Sequence, residues 1–478
     1  MALVAIGVVL GSLALTRLVL AYNLVTAAVL VLWVVIVAVV IQPRIGLYII
    51  FAVALMFEVS GDDPLMAPGV YLLNSLQSTL SASGGVLIPL EVLLLLSSGV
   101  WLGQALMRRK LAFRSGTLGR PMFLLCMALL FGVARGLGAG AVFNYSLWES
   151  RFLFWMILCY VLAANTIRTR GHVRTLLTLV MLCASFSGIE GAWRKFALID
   201  SGQLGTAQEG WYAHDSVVVW GLLIMLLCAQ LAFGAPRWQR LLGPVAAGIT
   251  VFTMLSSERR AGEIALMVAF AAFALVLLAA KRKAFCLIAL PAVIGMAIYL
   301  PVFWNDTGTL GQAARAVRSI SDPDPRDAAS NLARDLEAIN VRATIAAEPL
   351  LGIGFGLPFL QVVAIPDISG FPFWNYEAHH DVLWVWMKVG AIGFILFFVV
   401  MCRGLARSAF LTRELRDPDA RVMAVLAMSG VVLSLVFCYV DLGLTGARVP
   451  VILGTTLGAM SVLTRIYPLR GAVAPDEG

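Results

Sequence analysis

Long uninterrupted apolar runs recur along this sequence from one end to the other, separated by short polar stretches. A helix needs about 20 apolar residues to cross roughly 30 Å of hydrocarbon, and most of the runs approach that length. The strands of a membrane barrel would instead alternate apolar and polar residues over segments of about ten. We interpret fourteen runs as membrane-spanning helices, near residues 2–16, 21–41, 45–58, 86–106, 121–136, 149–165, 175–192, 214–234, 240–256, 261–280, 284–301, 380–402, 421–440 and 449–464.

Two of these runs, 2–16 and 45–58, are short enough to be re-entrant or interfacial, so twelve or thirteen spans fit as well. The composition agrees with a membrane protein, since 60% of the residues are hydrophobic and 13% are charged. Soluble domains carry roughly 25% charged residues. The sequence therefore predicts an all-α polytopic membrane protein with about 12–14 transmembrane helices.

Basic residues predict the orientation, because cytoplasmic loops are enriched in Lys and Arg. With fourteen spans, both termini and four basic loops fall on one side, which we assign to the cytoplasm. The chain then divides into N-terminal transmembrane helices (1–301), a large extracytoplasmic loop (302–379) and C-terminal helices with a short cytoplasmic tail (380–478). The four loops carry Arg108, Arg109, Lys110, Arg114 and Arg120; Arg168, Arg170 and Arg174; Lys281, Arg282 and Lys283; and Arg403, Arg407, Arg413 and Arg416.

The net charge of +8 comes mostly from these loops. No basic run is interleaved with aromatic residues as single-strand binding requires, so we expect no nucleic-acid partner. The seven cysteines lie in or beside apolar runs without a CxxC pair, which indicates neither a zinc site nor a disulfide. No basic region precedes the first apolar run, so we expect no cleavable signal peptide.

The large loop contains one predicted amphipathic helix, at about residues 326–346. Asp324 is a typical N-cap, and Pro325 suits the first helical position. Apolar residues then recur at helical spacing, at Leu332, Leu336 and Ile339. Proline and glycine end the helix, at Pro349, Gly352, Gly354 and Gly356. We expect most of its charges to form the solvated face of a lid.

A histidine pair with flanking acids lies where this loop enters a membrane helix, in the segment Glu377-Ala378-His379-His380-Asp381. Imidazole accepts a proton near neutral pH, and a carboxylate can hold it in one tautomer. The segment therefore predicts a general base, with Glu377 and Asp381 as orienting groups. The alternative is an interfacial pair that bonds only to lipid headgroups and nearby carbonyls.

Several arginines lie in or beside apolar runs, where an unpaired charge costs a few kcal/mol, so they are candidate functional residues. Arg151 begins an apolar run, and Arg259 and Arg260 occupy a turn on the predicted outer side. Arg342 lies in the loop helix. A guanidinium group binds phosphate through two parallel hydrogen bonds. The alternatives are a snorkelling Arg151 paired with Glu149, and a 259–260 turn that faces inside.

Three segments, in this order, resemble the motifs of the O-antigen ligase and polymerase superfamily, the WaaL-like and Wzy-like membrane proteins of bacterial polysaccharide synthesis. Ser257–Gly262 resembles the family's turn motif, and Arg342 with Glu348–Gly354 resembles its loop motif. His379–Leu383, followed by Gly390 and Gly393, resembles its histidine motif. The resemblance covers roughly residues 240–400 by motif and the rest by topology.

This resemblance implies a glycosyltransferase of the bacterial inner membrane that uses an undecaprenyl-pyrophosphate-linked glycan as donor and a lipid or glycan as acceptor. It implies that His379 activates the acceptor hydroxyl and that Arg260, Arg342 and, more loosely, Arg151 bind pyrophosphate, with Arg259 as the register alternative to Arg260. It implies inversion at the anomeric carbon without a metal or another cofactor.

The sequence departs from the family pattern at two positions. His380 stands where asparagine is usual, which leaves open which histidine is the base, and Lys388 stands where an acid is common. Ligase and polymerase activities both remain open. The rival interpretations are a transporter or flippase of lipid-linked sugars and a non-catalytic component of an export complex.

Overall fold

The protein is an all-α polytopic membrane protein, and a computed structural model describes residues 24–58, 72–73, 87–107, 113–200, 212–366 and 373–469. Within these residues nine helices are long and apolar enough to cross a membrane. The predicted span 2–16 and the basic residues Arg108, Arg109 and Lys110 lie outside the described residues. The other thirteen predicted spans each coincide with a helix.

The helices fall into an N-terminal group, two helices within the large loop and a C-terminal group. The N-terminal group is α1 (Leu24–Ile41), α2 (Pro43–Met56), α3 (Pro89–Met107), α4 (Gly119–Gly138), α5 (Phe143–Thr166), α6 (Arg170–Ala197), α7 (Ser216–Phe233), α8 (Arg237–Ser256), α9 (Arg260–Ala280) and α10 (Arg282–Val302). The loop holds α11 (Gln312–Arg318) and α12 (Pro325–Ala347). The C-terminal group is α13 (Asp381–Glu414), α14 (Pro418–Cys438) and α15 (Arg448–Ser461).

The core lies around α15, every residue of which is buried. This helix packs against α5 and α14, and α14 in turn packs against α7, α9 and α13. At the other extreme, α10 has no buried residue between Leu290 and Val302, so its apolar side chains face the membrane. The C-terminal helices therefore form the centre around which the N-terminal helices are arranged.

Polar contacts show that the connections between helices lie at two opposite ends of the bundle. At one end, which we call the basic end, Arg114 contacts Asn165, Lys281 contacts Ala232 and Arg174 pairs with Asp419. At the other end, the site end, α12 and the turn 439–447 meet the starts of α7, α9 and α13. The described parts of the four predicted basic loops all lie toward the basic end.

The helix α13 extends farther than its apolar run, which predicted an end near residue 402. It continues to Glu414 and carries Arg403, Arg407 and Arg413 on its polar extension. Near its start it is kinked at Gly390, which has a left-handed φ of 65°. Only glycine adopts this conformation without steric cost, so this position requires glycine.

The kink lets the segment after α12 bond directly to α13. Ile353 donates to the Met387 carbonyl at 2.8 Å, and Gly354 donates to the Lys388 carbonyl at 3.1 Å. The Ala391 amide, which would bond to Met387 in a regular helix, donates instead to the Pro349 carbonyl at 2.9 Å. The two segments that carry the loop and histidine motifs are thus hydrogen-bonded to each other.

Beneath this junction lies a buried ion pair between Lys388 and Glu149, whose side chains are both 0% exposed. The Lys388 Nζ lies 2.7 Å from Glu149 and donates to the Leu357 carbonyl at 2.6 Å, while Gly356 donates to Glu149. Removing one partner of such a pair costs about 3–5 kcal/mol. Lys388 is therefore a structural residue in the core.

The amphipathic helix predicted near 326–346 is confirmed as α12, with Asp324 accepting from the Asp327 amide at 2.8 Å. Only part of its apolar face is buried, at Val341 and Ile345. Leu332 and Ile339 are exposed, whereas Asp327 and Glu337 are buried against the bundle. These two acids are buried because each meets a partner there, Asp327 on α9 and Glu337 at the start of α13.

The basic end is predicted to face the cytoplasm and α12 the opposite compartment. On a background without native cysteines, we expect Ala329→Cys, exposed on α12, to react with an impermeant thiol reagent in intact cells. Thr117→Cys, exposed at the basic end, should react only after the membrane is permeabilised. Labelling in the opposite order would reverse the orientation.

Candidate functional site

At the site end, charged side chains from five parts of the chain come together. They come from the starts of α7, α9 and α13, from the middle of α12 and from the turn between α14 and α15. The cluster is polar and part-buried, unlike the apolar bodies of the helices that carry it. Such a group of ionisable residues in a membrane protein marks a candidate functional site.

The central contact of the cluster joins His379 to Glu337 of α12. The His379 amide donates to Glu337 at 2.7 Å, and the His379 Nδ1 lies 3.1 Å from the same carboxylate oxygen. Because a carboxylate only accepts, Nδ1 carries a proton and the neutral ring keeps its lone pair on Nε2. Glu337 is 6% exposed and His379 33%, so the carboxylate is covered while the imidazole remains accessible.

Glu337 also sets the charge state of this imidazole. Burial alone lowers the pKa of His379, but the hydrogen bond and negative charge of Glu337 outweigh burial and raise the pKa above its ordinary value. The charge of Asp441 raises it further, and that of Arg334 opposes the rise. The pair is therefore suited to receive a proton at Nε2 and to stabilise the resulting imidazolium.

His380 has a different role in the fold. Its Nδ1 accepts from the Leu383 amide at 3.3 Å, so its side chain caps the N-terminus of α13. The ring packs edge-on against Tyr439, with centroids 4.5 Å apart. Burial, and then the charge of Arg342, lower the pKa of His380. With Nδ1 accepting, the neutral ring holds its proton on Nε2 and presents no lone pair there.

The acids expected to orient the imidazoles lie elsewhere. Asp381 accepts from the amides of Gly443 and Leu444 at 2.5 and 2.6 Å, which ties the start of α13 to the turn 439–447. Burial, with the charges of Asp381 and Glu149, raises the pKa of Glu377 well above its usual range and favours its neutral form. Within the described residues no hydrogen bond joins either acid to His379 or His380.

A second imidazole–carboxylate pair lies in the same cluster. The His214 Nδ1 lies 2.8 Å from Asp441, and Arg334 lies 3.8 Å from that carboxylate. Burial would raise the pKa of Asp441, but the charges of His214 and Arg334 lower it to about 2. Arg259 reaches the His214 ring at 3.3 Å and donates to the Tyr212 carbonyl at 3.0 Å. Arg259 is thus the arginine of the turn that points toward α7.

The neighbouring Arg260 points toward α12. Its guanidinium lies 3.4 Å from Asp327 and donates to Asn331 at 3.3 Å. Arg315 of α11 pairs with the same Asp327 at 2.8 Å. Arg260 therefore holds the loop helix on α9, at the edge of the charged cluster.

The other two predicted arginines, Arg342 and Arg151, differ in exposure and in the part of the bundle where they lie. Arg342 is exposed on α12, eight residues or about two turns beyond Arg334, and its charge acts on His380. Arg151 is 1% exposed and lies 3.7 Å from Glu91 of α3. Its described carboxylate partner is therefore Glu91 and not the expected Glu149, and no described contact connects Arg151 with the histidine cluster.

Sequence reasoning missed Glu337, Arg334 and the His214–Asp441 pair. The first two were grouped with the solvated charges of α12. A signal was present in the spacing of Asp327, Asn331 and Arg334, which places three polar residues on one helix face. No comparable signal marks Asp441, because its partners lie far away in sequence and meet it only in the folded bundle.

A known family matches part of the chain that carries this site. The model of the family described as O-antigen ligase matches residues 245–398, about a third of the chain. This segment contains Arg259, Arg260, α12 and both motif histidines, whereas His214 and Asp441 fall outside it. Among curated proteins, none matches the chain.

We expect Glu337→Gln to lower the pKa of His379, because the amide keeps the shape of the carboxylate but removes the charge that opposes burial. In a His380→Asn background, the pH dependence of carbethoxylation of His379, followed by mass spectrometry, should shift to lower pH. An unchanged or higher midpoint would show that Glu337 does not control this imidazole.

Proposed function

We propose that this chain, which matches the O-antigen ligase family over residues 245–398, is a membrane glycosyltransferase of cell-surface polysaccharide synthesis. The donor is a glycan linked to a polyprenyl pyrophosphate such as undecaprenyl pyrophosphate. The acceptor is a hydroxyl of a second glycan or of a glycolipid. The observation that carries the proposal is the His379–Glu337 pair, held beside arginines inside the matched segment.

In the proposed reaction His379 is the general base. Its Nε2 takes the proton of the acceptor hydroxyl while that oxygen attacks the anomeric carbon of the donor. The bond from this carbon to the pyrophosphate oxygen breaks, and the pyrophosphate leaves with the electron pair. Glu337 stabilises the imidazolium that forms, and the anomeric carbon is inverted in this single displacement.

Guanidinium groups provide the charge that the leaving pyrophosphate requires. Arg342 is the most exposed of them, Arg259 contacts His214 and Arg334 lies near Asp441. Arg260 contributes charge while it fastens α12 through Asp327. The proposal does not include Arg151, since its ion pair with Glu91 lies within the helix bundle.

The proposed site faces the extracytoplasmic side of a bacterial inner membrane. A lipid tail can remain among the helices while its pyrophosphate reaches the polar cluster at the site end. Ligation and polymerisation use this same donor chemistry and differ in the acceptor. The geometry of the site supports the glycosyl transfer step that ligation and polymerisation share.

The two histidines should differ sharply when substituted. We expect His379→Ala to reduce transfer from a lipid-linked donor by roughly two to four orders of magnitude, the usual contribution of a general base. His380→Asn should retain most activity, since asparagine also caps a helix N-terminus. Transfer is measured with purified protein, and retention of fold is checked by thermal unfolding. A dispensable His379 with an indispensable His380 would reverse the assignment.

Substitutions of the arginines can separate stabilisation of the leaving-group charge from docking of α12. We expect Arg342→Ala to reduce transfer by about 10²–10³-fold, as losing a transition-state charge contact does, and Arg342→Lys to restore it poorly because lysine lacks the bidentate fork. Arg326→Ala, another arginine of α12 that is 52% exposed, is the matched control and should remain active. Equal losses of transfer in both variants would mean that the total positive charge of α12, and not the position of Arg342, determines activity.

For Arg260 the matched variant is Asp327→Asn, which breaks the same contact with α12 from the other side. If Arg260 also stabilises the leaving group, Arg260→Ala should lose far more transfer than Asp327→Asn at equal thermal stability. Similar activities for the two variants would leave Arg260 with a docking role alone.

We also expect transfer to survive EDTA, because arginines are proposed to balance the pyrophosphate charge that a metal ion balances in other enzymes. Purified protein is assayed with chelator and then with added magnesium or manganese. Loss of transfer that either ion restores would reject the proposed charge balance.

A further inference from the structure

A cavity of about 280 Å³ lies at the basic end of the bundle, far from the histidine cluster. It is formed where the α1–α2 turn meets α3 and the end of α5. Its walls are lined by Ile41, Gln42, Pro43, Arg44, Trp101, Gln104, Asn165, Thr166 and Arg168. All of these residues lie outside the segment 245–398, so the family match assigns it nothing.

The chemistry of the walls favours an anion. The lining contains two guanidinium groups, three side-chain amides and no carboxylate. The described side-chain contacts of Arg44 are with His172 at 2.5 Å and Gln42 at 2.6 Å, and neither of these groups carries a negative charge. Arginine binds phosphate through its fork of N–H donors, which are the donors that this cavity collects.

The walls are held in place by hydrogen bonds within and between the segments that form them. Gln104 of α3 donates to the Val40 carbonyl at 2.8 Å, and Arg168 donates to the Asn165 carbonyl at 3.0 Å. Asn165 is buried and bonds the backbone of Arg114 in both directions. The arginines therefore project from a fixed frame between three helices, unlike basic side chains on a free loop.

The surroundings indicate that the anion belongs to a lipid. Above the cavity, α1 and α3 present apolar side chains to the membrane; Val34 is 62% exposed and Leu102 44%. Ile41, in the wall itself, is 65% exposed. Trp101 lies in the same wall, and tryptophan is enriched where the hydrocarbon meets the polar headgroups. Acyl chains can follow the apolar faces while a headgroup enters the cavity.

We propose that this cavity binds the phosphate headgroup of an anionic phospholipid in the leaflet at the basic end. Its volume is just below the roughly 300 Å³ at which small-molecule pockets begin, which suits a headgroup and not a whole lipid. Basic pockets between transmembrane helices bind such headgroups in other membrane proteins. This lipid fastens the α1–α2 turn to α3 and α5, independently of the glycosyl transfer proposed above.

The test measures lipid retention by the full-length protein in detergent, with native mass spectrometry. Phosphatidylglycerol or phosphatidylcholine is added at equal concentration, and inorganic phosphate is added alone in a third arm. We expect wild type to retain phosphatidylglycerol, and Arg44→Ala/Arg168→Ala to retain it at least about tenfold less, as expected for loss of a charge-assisted hydrogen bond. Phosphatidylcholine and free phosphate should not be retained.

The matched control is Arg237→Ala/Arg240→Ala, which removes the same charge from two exposed arginines at the same end; it should retain phosphatidylglycerol as wild type does. Since Arg44 and Arg168 also support the fold, Gln104→Glu offers a second variant that adds a carboxylate to the wall and should also reduce retention. Equal loss in the control, unchanged retention in both cavity variants, or retention of free phosphate alone would overturn the proposal.

Discussion

The contact between Glu337 and His379 joins the two parts on which the site depends, the loop helix α12 and the entry to α13. One carboxylate holds the backbone amide of His379 at 2.7 Å and its Nδ1 at 3.1 Å. It thereby fixes the position of the imidazole, its tautomer and the direction of its pKa shift. If α12 moved from the bundle, His379 would lose all three together, so the anchors of α12 also support the site.

Those anchors lie at both ends of the helix. Arg260 and Arg315 hold Asp327 near the N-terminus, and Asn340 accepts from the amides of Val362 and Val363 near the C-terminus. Underneath, the buried Lys388–Glu149 pair and the kink at Gly390 hold the connecting segment against α13. Burying these charges costs desolvation free energy. The buried pair lies directly under the site, where rigid support is needed.

Much of this architecture could be predicted from local sequence. Apolar runs marked thirteen described helices, nine of which are long and apolar enough to cross a membrane. Asp324 and Pro325 marked the start of α12 because capping depends on adjacent residues. The order of the motifs predicted a resemblance to O-antigen ligases, and the match of that family to residues 245–398 supports it.

The partners of the site residues could not be predicted in the same way. The carboxylate of His379 belongs to Glu337 and not to the adjacent Asp381, and Glu149 pairs with Lys388 and not with Arg151. Adjacency in sequence favours the wrong partner in both cases, because helix packing decides which charges meet. The exposed Leu332 and Ile339 likewise show that apolar spacing identified α12 as a helix but not the face that it buries.

The proposed reaction is a single displacement in which His379 acts as base and no enzyme nucleophile forms a covalent intermediate. The stereochemistry of the new bond tests it most directly. Purified protein is given a synthetic polyprenyl-pyrophosphate glycan of known anomeric configuration, and the product linkage is determined by NMR. We expect inversion, with one polyprenyl pyrophosphate released per bond formed; retention of configuration would rule out a single displacement.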